Sequence, residues 1–586
     1  MAERRVYEIN LVVRSPFLFQ GTANSRFGVD ATYQRATGGS TPIIPATQIR
    51  GVLLAALSQN QTDLLALLEK KTLRELFGAS SETKAAEGHD LPVRGRIAFS
   101  DLQAATTPTR SQITRIALDE ETGSVETGSL QVIELSHPLG MDCEFKGTFS
   151  IVWPADMPLP DISDIFTKAL KLVPAIGALK SAGFGEVVVD RSVVRELVER
   201  RKTLAIVAPA GAANPGRRRY RVRFDRPFVV DSMRAEENLF AGSPIVPGAV
   251  FKGALARRLE AMGHSVDASS GLGRALSTAV FSHSFPSDTE TRRTLGLPLP
   301  LSLVNDLGSG ALADLLALEF GQCAPSASIT AFAKPAIKAE ARKELALPAL
   351  PAEKLAKTDR THVKIDSTNL AAEEGKLFTL RMVDPGGMLW EMTIDTGNVE
   401  DDAAAALIHD AFKLGLDQIG RTEASVAIEP AGTETSSASD TMFMLATPAV
   451  LFDGTVDLDV PMIERYRRYF EAFLGGAVLK NVFASRKLLG GYSATRFRSY
   501  GSAYYPFVAT LPGSVFRLEC PTREAAEALN NAYRYGLPIP LLGGKKADWQ
   551  TCPYVPENGY GAIVPHPARH LKPPSGMRVM ETVDVR

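Results

Sequence analysis

The fold is decided by the stretch Pro42-Ile43-Ile44-Pro45-Ala46-Thr47-Gln48-Ile49-Arg50-Gly51-Val52-Leu53, because the chain contains a second, similar stretch. The second copy is Pro244-Ile245-Val246-Pro247-Gly248-Ala249-Val250-Phe251-Lys252-Gly253-Ala254-Leu255. Each copy is typical of an apolar strand end, a proline-marked turn and an amphipathic helix with a basic residue near its start. Two copies so far apart predict two related domains rather than a solenoid of short repeats.

Further landmarks recur in the same order and support an internal duplication. At identical spacing the chain repeats an acidic residue, a glycine and a leucine: Asp119, Gly128 and Leu130, then Asp366, Gly375 and Leu377. Glycine-rich segments follow each set, at residues 177–185 and 415–421.

Composition bounds the class of protein. The 586 residues are 45% hydrophobic and 22% charged, which predicts several globular domains. No apolar run approaches the ~20 residues of a membrane span, and the first residues lack a signal-peptide core. Four cysteines without a CxxC pair argue against a cysteine-rich zinc site and favour a reducing cytoplasm. The net charge of −1 does not indicate nucleic-acid binding, so local basic clusters such as residues 217–223 matter more.

Local patterns predict the elements of the first domain. Residues 5–14 alternate like a strand, and a helix follows Pro45 with Thr47 as its predicted N-cap. Further strands are predicted at residues 95–102, 130–135, 144–153 and 186–189, with a helix at 161–173. That order matches the ferredoxin-like arrangement with one extra hairpin.

The predicted fold class is therefore α+β, with tandem ferredoxin-like (βαββαβ) domains. We expect a first domain at residues 1–195, a linker at 196–217, and a second unit of two lobes. The lobes are predicted at 218–431, with a partly helical insertion at 308–358, and at 442–586.

These residues resemble the RAMP superfamily of CRISPR-associated RNA-binding proteins, through the repeated Ile-Pro phrase and the C-terminal glycine turn. Residues 1–195 are similar to the backbone subunit of type III interference complexes, in which an Asp-bearing loop precedes the phrase, as Gly28-Val29-Asp30 does here. Residues 218–586 look like the type III-D subunit that caps the 5′ handle of the guide RNA. Four phrases carry this second resemblance: Phe281 to Pro286, Leu297 to Ser302, Arg360 to Asp366, and Val482 to Ser485. Two departures are Ala46, where glycine is usual, and a short last glycine turn.

The resemblance implies a cytoplasmic antiviral complex with no membrane partner. Its expected partners are the guide crRNA, the target RNA, a large signalling subunit, further RAMP subunits and a small subunit.

Asp30 is the predicted catalytic residue. RNA is cut by its own 2′-hydroxyl when the phosphate is bent into in-line geometry, and a carboxylate then serves as base or as ligand of a divalent ion such as Mg²⁺. The alternative is that Asp30 only caps a turn. Asp231 is the expected counterpart in the second unit, with a structural role favoured.

RNA contacts are predicted at the two helix starts, at the glycine turn of residues 177–185 and at a thumb-like hairpin of residues 103–129. At the helix starts, the unpaired N–H groups and the helix dipole favour a phosphate. The alternatives are a stable strand–helix corner, a tight turn and a surface hairpin. The predicted RNA-binding residues are Arg35, Gln48, Arg50, Arg110, Arg115, Lys180, Gly183, Gly185, Lys252, His283, His362, Arg421, Arg486 and Lys487.

Three other functions stay open at this point. The chain is a non-catalytic scaffold of the same complex if Asp30 is inert. A guide-processing endoribonuclease would need a His, Tyr or Lys beside the precursor's cut site. A metabolic enzyme on a ferredoxin-like fold would need a small-molecule pocket with convergent polar groups.

Overall fold

Three modules make up the part of the chain that the computed structural model describes: module 1 (residues 2–204), module 2 (213–433) and module 3 (440–579). The described residues are 2–19, 28–37, 39–59, 68–79, 93–119, 121–204, 213–231, 233–236, 238–287, 295–318, 320, 322–323, 329–330, 335–347, 355–365, 372–433, 440–456, 459–489, 506–574 and 578–579.

Module 1 is built on one large antiparallel sheet. Its elements are β1 (Ala2–Arg14), β2 (Ile43–Ile44), α1 (Ala46–Gln59), α2 (Lys70–Phe77), β3 (Gly78–Ala79), β4 (Val93–Arg94), β5 (Ile97–Phe99), β6 (Leu102–Ala104), β7 (Ser111–Arg115), β8 (Gln131–Leu135), β9 (Asp142–Pro154), α3 (Ile162–Lys171), β10 (Glu186–Val187), β11 (Val193–Glu196) and β12 (Lys202–Leu204). β1 pairs with β9 along its whole length, β5 and β6 pair with the other edge of β9, and β11 and β12 pair with β1.

The predicted elements of module 1 form for the expected reasons. The apolar side chains of α1, including Ile49, Leu53 and Leu57, are buried in the core beneath the sheet. Asp161 caps α3 by accepting a hydrogen bond from the N–H of Asp164 at 3.1 Å. The predicted N-cap Thr47 is wrong, because α1 already begins at Ala46.

Module 2 repeats this sheet and adds inserted strands. Its elements are β13 (Arg217–Phe224), β14 (Met233–Glu236), β15 (Leu239–Ala241), α4 (Gly248–Ala261), α5 (Gly271–Thr278), β16 (Val280–Phe281), β17 (Phe285–Ser287), β18 (Leu303–Asp306), β19 (Leu312–Asp314), β20 (Gln322–Cys323), β21 (Ile329–Thr330), α6 (Pro335–Glu344), β22 (Lys357–Ile365), β23 (Ala372–Val383), β24 (Leu389–Asp395), α7 (Asp402–Lys413), β25 (Leu416–Ile419) and β26 (Ala424–Thr433). β13 pairs with β24 and β26, and β16 and β17 pair with β24.

Module 3 is the smallest of the three. Its elements are β27 (Met442–Leu445), α8 (Met462–Phe473), β28 (Val478–Phe483), β29 (Arg486–Leu489), β30 (Phe507–Thr510), β31 (Val515–Glu519), α9 (Arg523–Tyr535), β32 (Ile563–Pro565) and β33 (Arg578–Val579). Its main sheet has the order β28-β31-β27-β32.

All three sheets have the same order. If the principal strands of each module are numbered along the chain, the spatial order is fourth, first, third, second: β11-β1-β9-β5, β26-β13-β24-β16 and β32-β27-β31-β28. This is the ferredoxin-like order, and each module has its own hydrophobic core. The α+β class with tandem ferredoxin-like domains is confirmed.

Two details extend the predicted boundaries. β12 pairs with the first residues of β1, so the sheet of module 1 continues past residue 195 into the segment predicted as a linker. β18 lies just before the predicted insertion, and β19 and β21 within the insertion flank it in a small separate sheet, with α6 following.

Candidate nucleic-acid interface

The same corner is found in each module, where a glycine turn packs on the segment that follows the first strand. That segment contains a proline in every case: Pro16, Pro227 and Pro448. A backbone hydrogen bond joins turn and segment in each module: Gly185 N to Pro16 O at 2.7 Å, Arg421 N to Val229 O at 2.9 Å, and Gly561 N to Pro448 O at 2.8 Å. The recurring proline was a sequence signal for this corner that pattern reasoning missed.

Close packing explains one of the glycines in the first turn. Gly185 has φ +75°, and a Cβ there would lie 1.9 Å from the carbonyl oxygen of Ile176. Gly183 has φ +80° but open space around it. Gly185 is therefore needed for the fold, whereas Gly183 and the exposed Lys180 lie on the outer side of the turn.

The loop of Asp30 lies on the hairpin formed by β7 and β8. The N–H of Asp30 donates to the oxygen of Val132 at 2.8 Å, and the N–H of Val132 donates back to Asp30 Oδ2 at 2.7 Å. Asp30 is exposed, and the described residues give its Oδ1 no hydrogen bond. The carboxylate is thus held at one oxygen and presented to solvent at the other.

A small apolar cluster joins this loop, the hairpin and the glycine turn, through Leu18, Ala31, Ile133, Leu135 and Phe184. Three of the predicted sites in module 1 are therefore brought together at one end of the sheet.

The predicted arginines of module 1 have different surroundings. Arg35 pairs with the buried Glu134 at 2.6 Å and lies 4.4 Å from the ring centre of Tyr33, so it fastens the Asp30 loop to β8. Arg110 is exposed at the start of the hairpin, and the guanidinium of Arg115 lies 6.0 Å from the ring centre of Phe184.

Module 2 has an equivalent face, and the described strand of its parallel-paired segment is apolar. β15 pairs in parallel with β23, as Ala31 does with Ile133 in module 1, so β15 is the counterpart of the Asp30 loop. The residues there are Leu239, Phe240 and Ala241. The expectation that Asp231 corresponds to Asp30 is wrong, because Asp231 lies before β14 and outside this pairing.

Two predicted residues of module 2 lie at this face. His362 stacks on Phe378 at 5.2 Å between ring centres, and burial lowers its pKa to about 4, so it is neutral at pH 7. The guanidinium of Arg421 lies 4.8 Å from the ring centre of Phe240. In module 3, Arg486 and Lys487 are exposed on β29, in the equivalent hairpin.

The residues predicted at the helix starts lie instead at the seams between modules. We call seam 1–2 the contact of the α1 side of module 1 with residues 417–423, and seam 2–3 the contact of the α4 side of module 2 with residues 556–561. In seam 1–2, Ala46 N donates to Asp101 Oδ1 at 2.7 Å, and Arg50 bonds the carbonyl oxygen of Phe77 and lies 3.7 Å from Glu423. The neighbouring Gln48 is half-buried.

Seam 2–3 repeats this geometry one module later. A Cβ on Gly248 would lie 2.8 Å from the oxygen of Asn558, so α4 starts against the last glycine turn. The amine of Lys252 is buried 5.4 Å from the ring centre of Phe281, and burial lowers its pKa to about 7, opposed by the charge of Glu557. His283 packs edge-on against Tyr560 at 4.6 Å, and burial lowers its pKa to about 3.

The described residues contain no cluster of three or more His, Cys, Asp or Glu side chains suited to hold a metal. Mg²⁺ commonly keeps several waters and takes one or two carboxylates together with substrate phosphates. A single exposed carboxylate such as Asp30 fits that pattern. None of the described helices combines the length and apolar character needed to cross a membrane.

Comparison with known proteins gives one family match. No curated protein matches the chain. Among solved structures, a chain of "Cryo-EM structure of the Type III-B Cmr-beta bound to cognate target RNA and AMPPnP, state 1" is 16% identical, with 51% of this chain and 85% of that chain covered and a TM-score of 0.31. A chain of "Cryo-EM structure of the Type III-B Cmr-beta bound to cognate target RNA" is 14% identical, with 53% and 89% covered and a TM-score of 0.31. Residues 10–188, which lie within module 1, match the model of the RAMP superfamily.

Proposed function

We propose that this protein is an RNA-binding subunit of a type III, III-D-like CRISPR effector complex that holds guide crRNA and cleaves the paired target RNA. In this proposal the hairpins and glycine turns of the three modules follow one guide strand, and modules 2 and 3 seat its 5′ handle. The RAMP match of residues 10–188 and the repetition of one face in three modules support it.

The observation that carries the cleavage part of the proposal is the placement of Asp30. Its carboxylate is exposed and fixed to the hairpin by the N–H of Val132 at 2.7 Å, and the next residue, Ala31, belongs to the apolar cluster that includes Phe184 of the glycine turn. An RNA strand lying along that end of the sheet would bring a phosphodiester to a preoriented carboxylate.

The proposed chemistry needs little from the protein. The 2′-hydroxyl attacks the adjacent phosphorus, the bond to the 5′-oxygen breaks, and a 2′,3′-cyclic phosphate and a 5′-hydroxyl result. Asp30 would accept the proton of the 2′-hydroxyl or orient it. Mg²⁺, if bound by Asp30 and RNA phosphates, would supply stabilisation of the phosphorane charge.

Recognition in this proposal is divided between RNA and protein. Base pairing with the guide selects the target, so the protein contacts backbone and shape rather than base edges. The exposed cations Arg110, Lys180, Arg486 and Lys487 suit this role, since phosphate attraction does not depend on sequence. The large signalling subunit, further RAMP subunits and the small subunit are the proposed protein partners, and the cytoplasm is the proposed location.

Two substitutions at one position test the proposal. Asp30→Asn keeps an oxygen that accepts from Val132 N but removes the charge, whereas Asp30→Ala removes both. We expect complexes with either variant to retain guide RNA and to lose target cleavage. Unchanged cleavage by both variants would end the catalytic proposal.

One observation favours a second candidate, the non-catalytic scaffold. The reciprocal hydrogen bonds between Asp30 and Val132 are also those of an acid that only fastens a loop. If that is the whole role of Asp30, Asp30→Asn behaves as wild type and only Asp30→Ala weakens guide binding.

A further inference from the structure

The two seams differ in their charge balance. At seam 2–3, the basic residue of the helix start, Lys252, meets one carboxylate, Glu557. At seam 1–2, Arg50 lies 3.7 Å from Glu423 and Arg94 lies 4.0 Å from the same carboxylate. Arg257 on α4 also interacts with Glu423 and is repelled by Arg94. Three guanidiniums therefore share one carboxylate.

A cleft of about 470 Å³ opens beside this group, between α2 of module 1 and α4 of module 2. Three carboxylates line it, Glu75, Glu260 and Asp417. The described basic residues that line it number six: Lys71, Arg74, Arg94, Arg96, Arg257 and Arg258.

One of those carboxylates is already neutralised. Asp417 pairs with Arg258 at 2.6 Å and accepts a hydrogen bond from the Ser425 hydroxyl at 2.9 Å. With six basic residues against three lining carboxylates and the adjacent Glu423, the described residues around the cleft have an excess of positive charge. The pKa of Arg257 falls to about 10, because burial and the neighbouring Arg94 both disfavour its charged form. A bound anion would relieve that repulsion.

The lining also indicates what kind of anion fits. No aromatic side chain is among the described residues of the cleft wall, so a base finds no aromatic ring to stack on there. Guanidiniums are suited to bidentate contacts with phosphate oxygens. The cleft volume is of the size of small-ligand pockets.

The cleft is separate from the Asp30 site. Asp30 contacts β8 at the end of the module 1 sheet where β9 begins, while Ser150 and Val152, near the other end of β9, line the cleft. Val152 lies nine positions after Cys143 along β9, which corresponds to about 30 Å of strand.

We propose that this cleft is a second anion site, which takes a phosphate-bearing ligand by its phosphates alone. The ligand is either a free polyphosphate or the backbone of a single-stranded nucleic acid. The site does not depend on cleavage by Asp30, so the failure of one proposal leaves the other standing.

The test is isothermal titration of the full-length chain with inorganic tripolyphosphate, and separately with 12-nucleotide oligouridylate and oligoadenylate. The variants are Arg257→Gln on α4 and Lys71→Gln on α2, two elements of different modules, so a folding defect in one leaves the other informative. The matched control is Arg523→Gln on α9, whose side chain is 91% exposed and pairs with Glu527 at 2.7 Å.

We expect at least one ligand to bind wild type and Arg523→Gln equally, and both cleft variants to weaken that binding about tenfold or more. Tripolyphosphate binding would assign a free anion, and binding of both oligonucleotides without tripolyphosphate would assign a nucleic-acid backbone. Affinities that are equal in wild type and both cleft variants would overturn the proposal. The proposal would also be overturned if wild type preferred one oligonucleotide and the cleft variants lost that preference. The cleft would then contact the bases and not the phosphates alone.

Discussion

Modules 1 and 2 have the same strand order and the same corner, yet they differ where a segment pairs in parallel with the hairpin. In module 1 that segment carries Asp30 and Ala31, and in module 2 it is the apolar strand Leu239–Ala241. The pairing itself is therefore a requirement of the fold, because it persists without the acid. The proposed cleavage rests on Asp30, which this pairing leaves exposed to solvent.

The largest expected effect comes from Asp30→Asn. Loss of a positioned base typically costs about 10²- to 10⁴-fold in rate, so we expect target cleavage to fall by at least about 100-fold. Asp231→Asn is the control in module 2 and is expected to cut at the wild-type rate. Cleavage of a guide-paired, labelled target measures both. If Asp231→Asn abolished cutting and Asp30→Asn did not, the assignment of module 1 as the cutting module would be reversed.

Gly185 and Gly183 provide the next test, since both have positive φ near +80° but only one is packed. Gly185→Ala is expected to destabilise module 1 by about 3 kcal/mol or more, because the new Cβ overlaps the Ile176 carbonyl. Gly183→Ala should cost about 1 kcal/mol, from backbone strain alone. Urea denaturation gives both values. Equal losses in stability would mean that Gly185 does not pack against the Ile176 carbonyl as described.

The pH dependence of stability that Lys252 causes tests the difference between the two seams. Its pKa is about 7 in the folded protein and 10.5 ordinarily, so the unfolded chain binds more protons between those values. The contribution of Lys252 to the free energy of unfolding therefore rises with pH across that window. Lys252→Met removes the buried amine and should stabilise by about 2 kcal/mol at pH 6, with a gain that shrinks toward pH 10. Denaturation at pH 6, 8 and 9.5 measures it, and a pH-independent difference would contradict the burial of the amine.

The arginine at the matching position of seam 1–2 serves as the control for that experiment. Arg50 is part-exposed and close to Glu423. Arg50→Met is expected to destabilise slightly, by about 1 kcal/mol, without the same pH trend.

Local patterns were enough to predict much of the fold. The alternation in β1 and the apolar stripe of α1 are set by neighbouring residues, so they are visible in the sequence. The third copy of the helix start was harder to recognise, because α8 follows Val460-Pro461 but has Tyr466 at the position of Arg50 and Lys252. Its strand order, rather than its sequence, reveals the relation.

The candidate site was only partly predictable, for a different physical reason. Arg50 and Lys252 share a motif, but their partners Glu423 and Glu557 come from the next module, and sequence periodicity contains no information on how modules pack. Asp231 was expected to be the counterpart of Asp30, whereas the segment that pairs in parallel with the module 2 hairpin is β15, on β23. Arg110 lies at the start of the module 1 hairpin and Lys487 lies on β29 of the module 3 hairpin, and their contact with RNA stays a prediction.

The central claim is that equivalent corners of the three modules line one guide strand. Crosslinking a guide RNA that contains 4-thiouridine, followed by mass spectrometry of the crosslinked peptides, tests it most directly. We predict crosslinks in the hairpin and glycine turn of every module: residues 105–141 and 177–185, 357–383 and 415–421, and 486–510 and 556–561. Crosslinks confined to a single module, or to the opposite end of the module 1 sheet, would contradict the account.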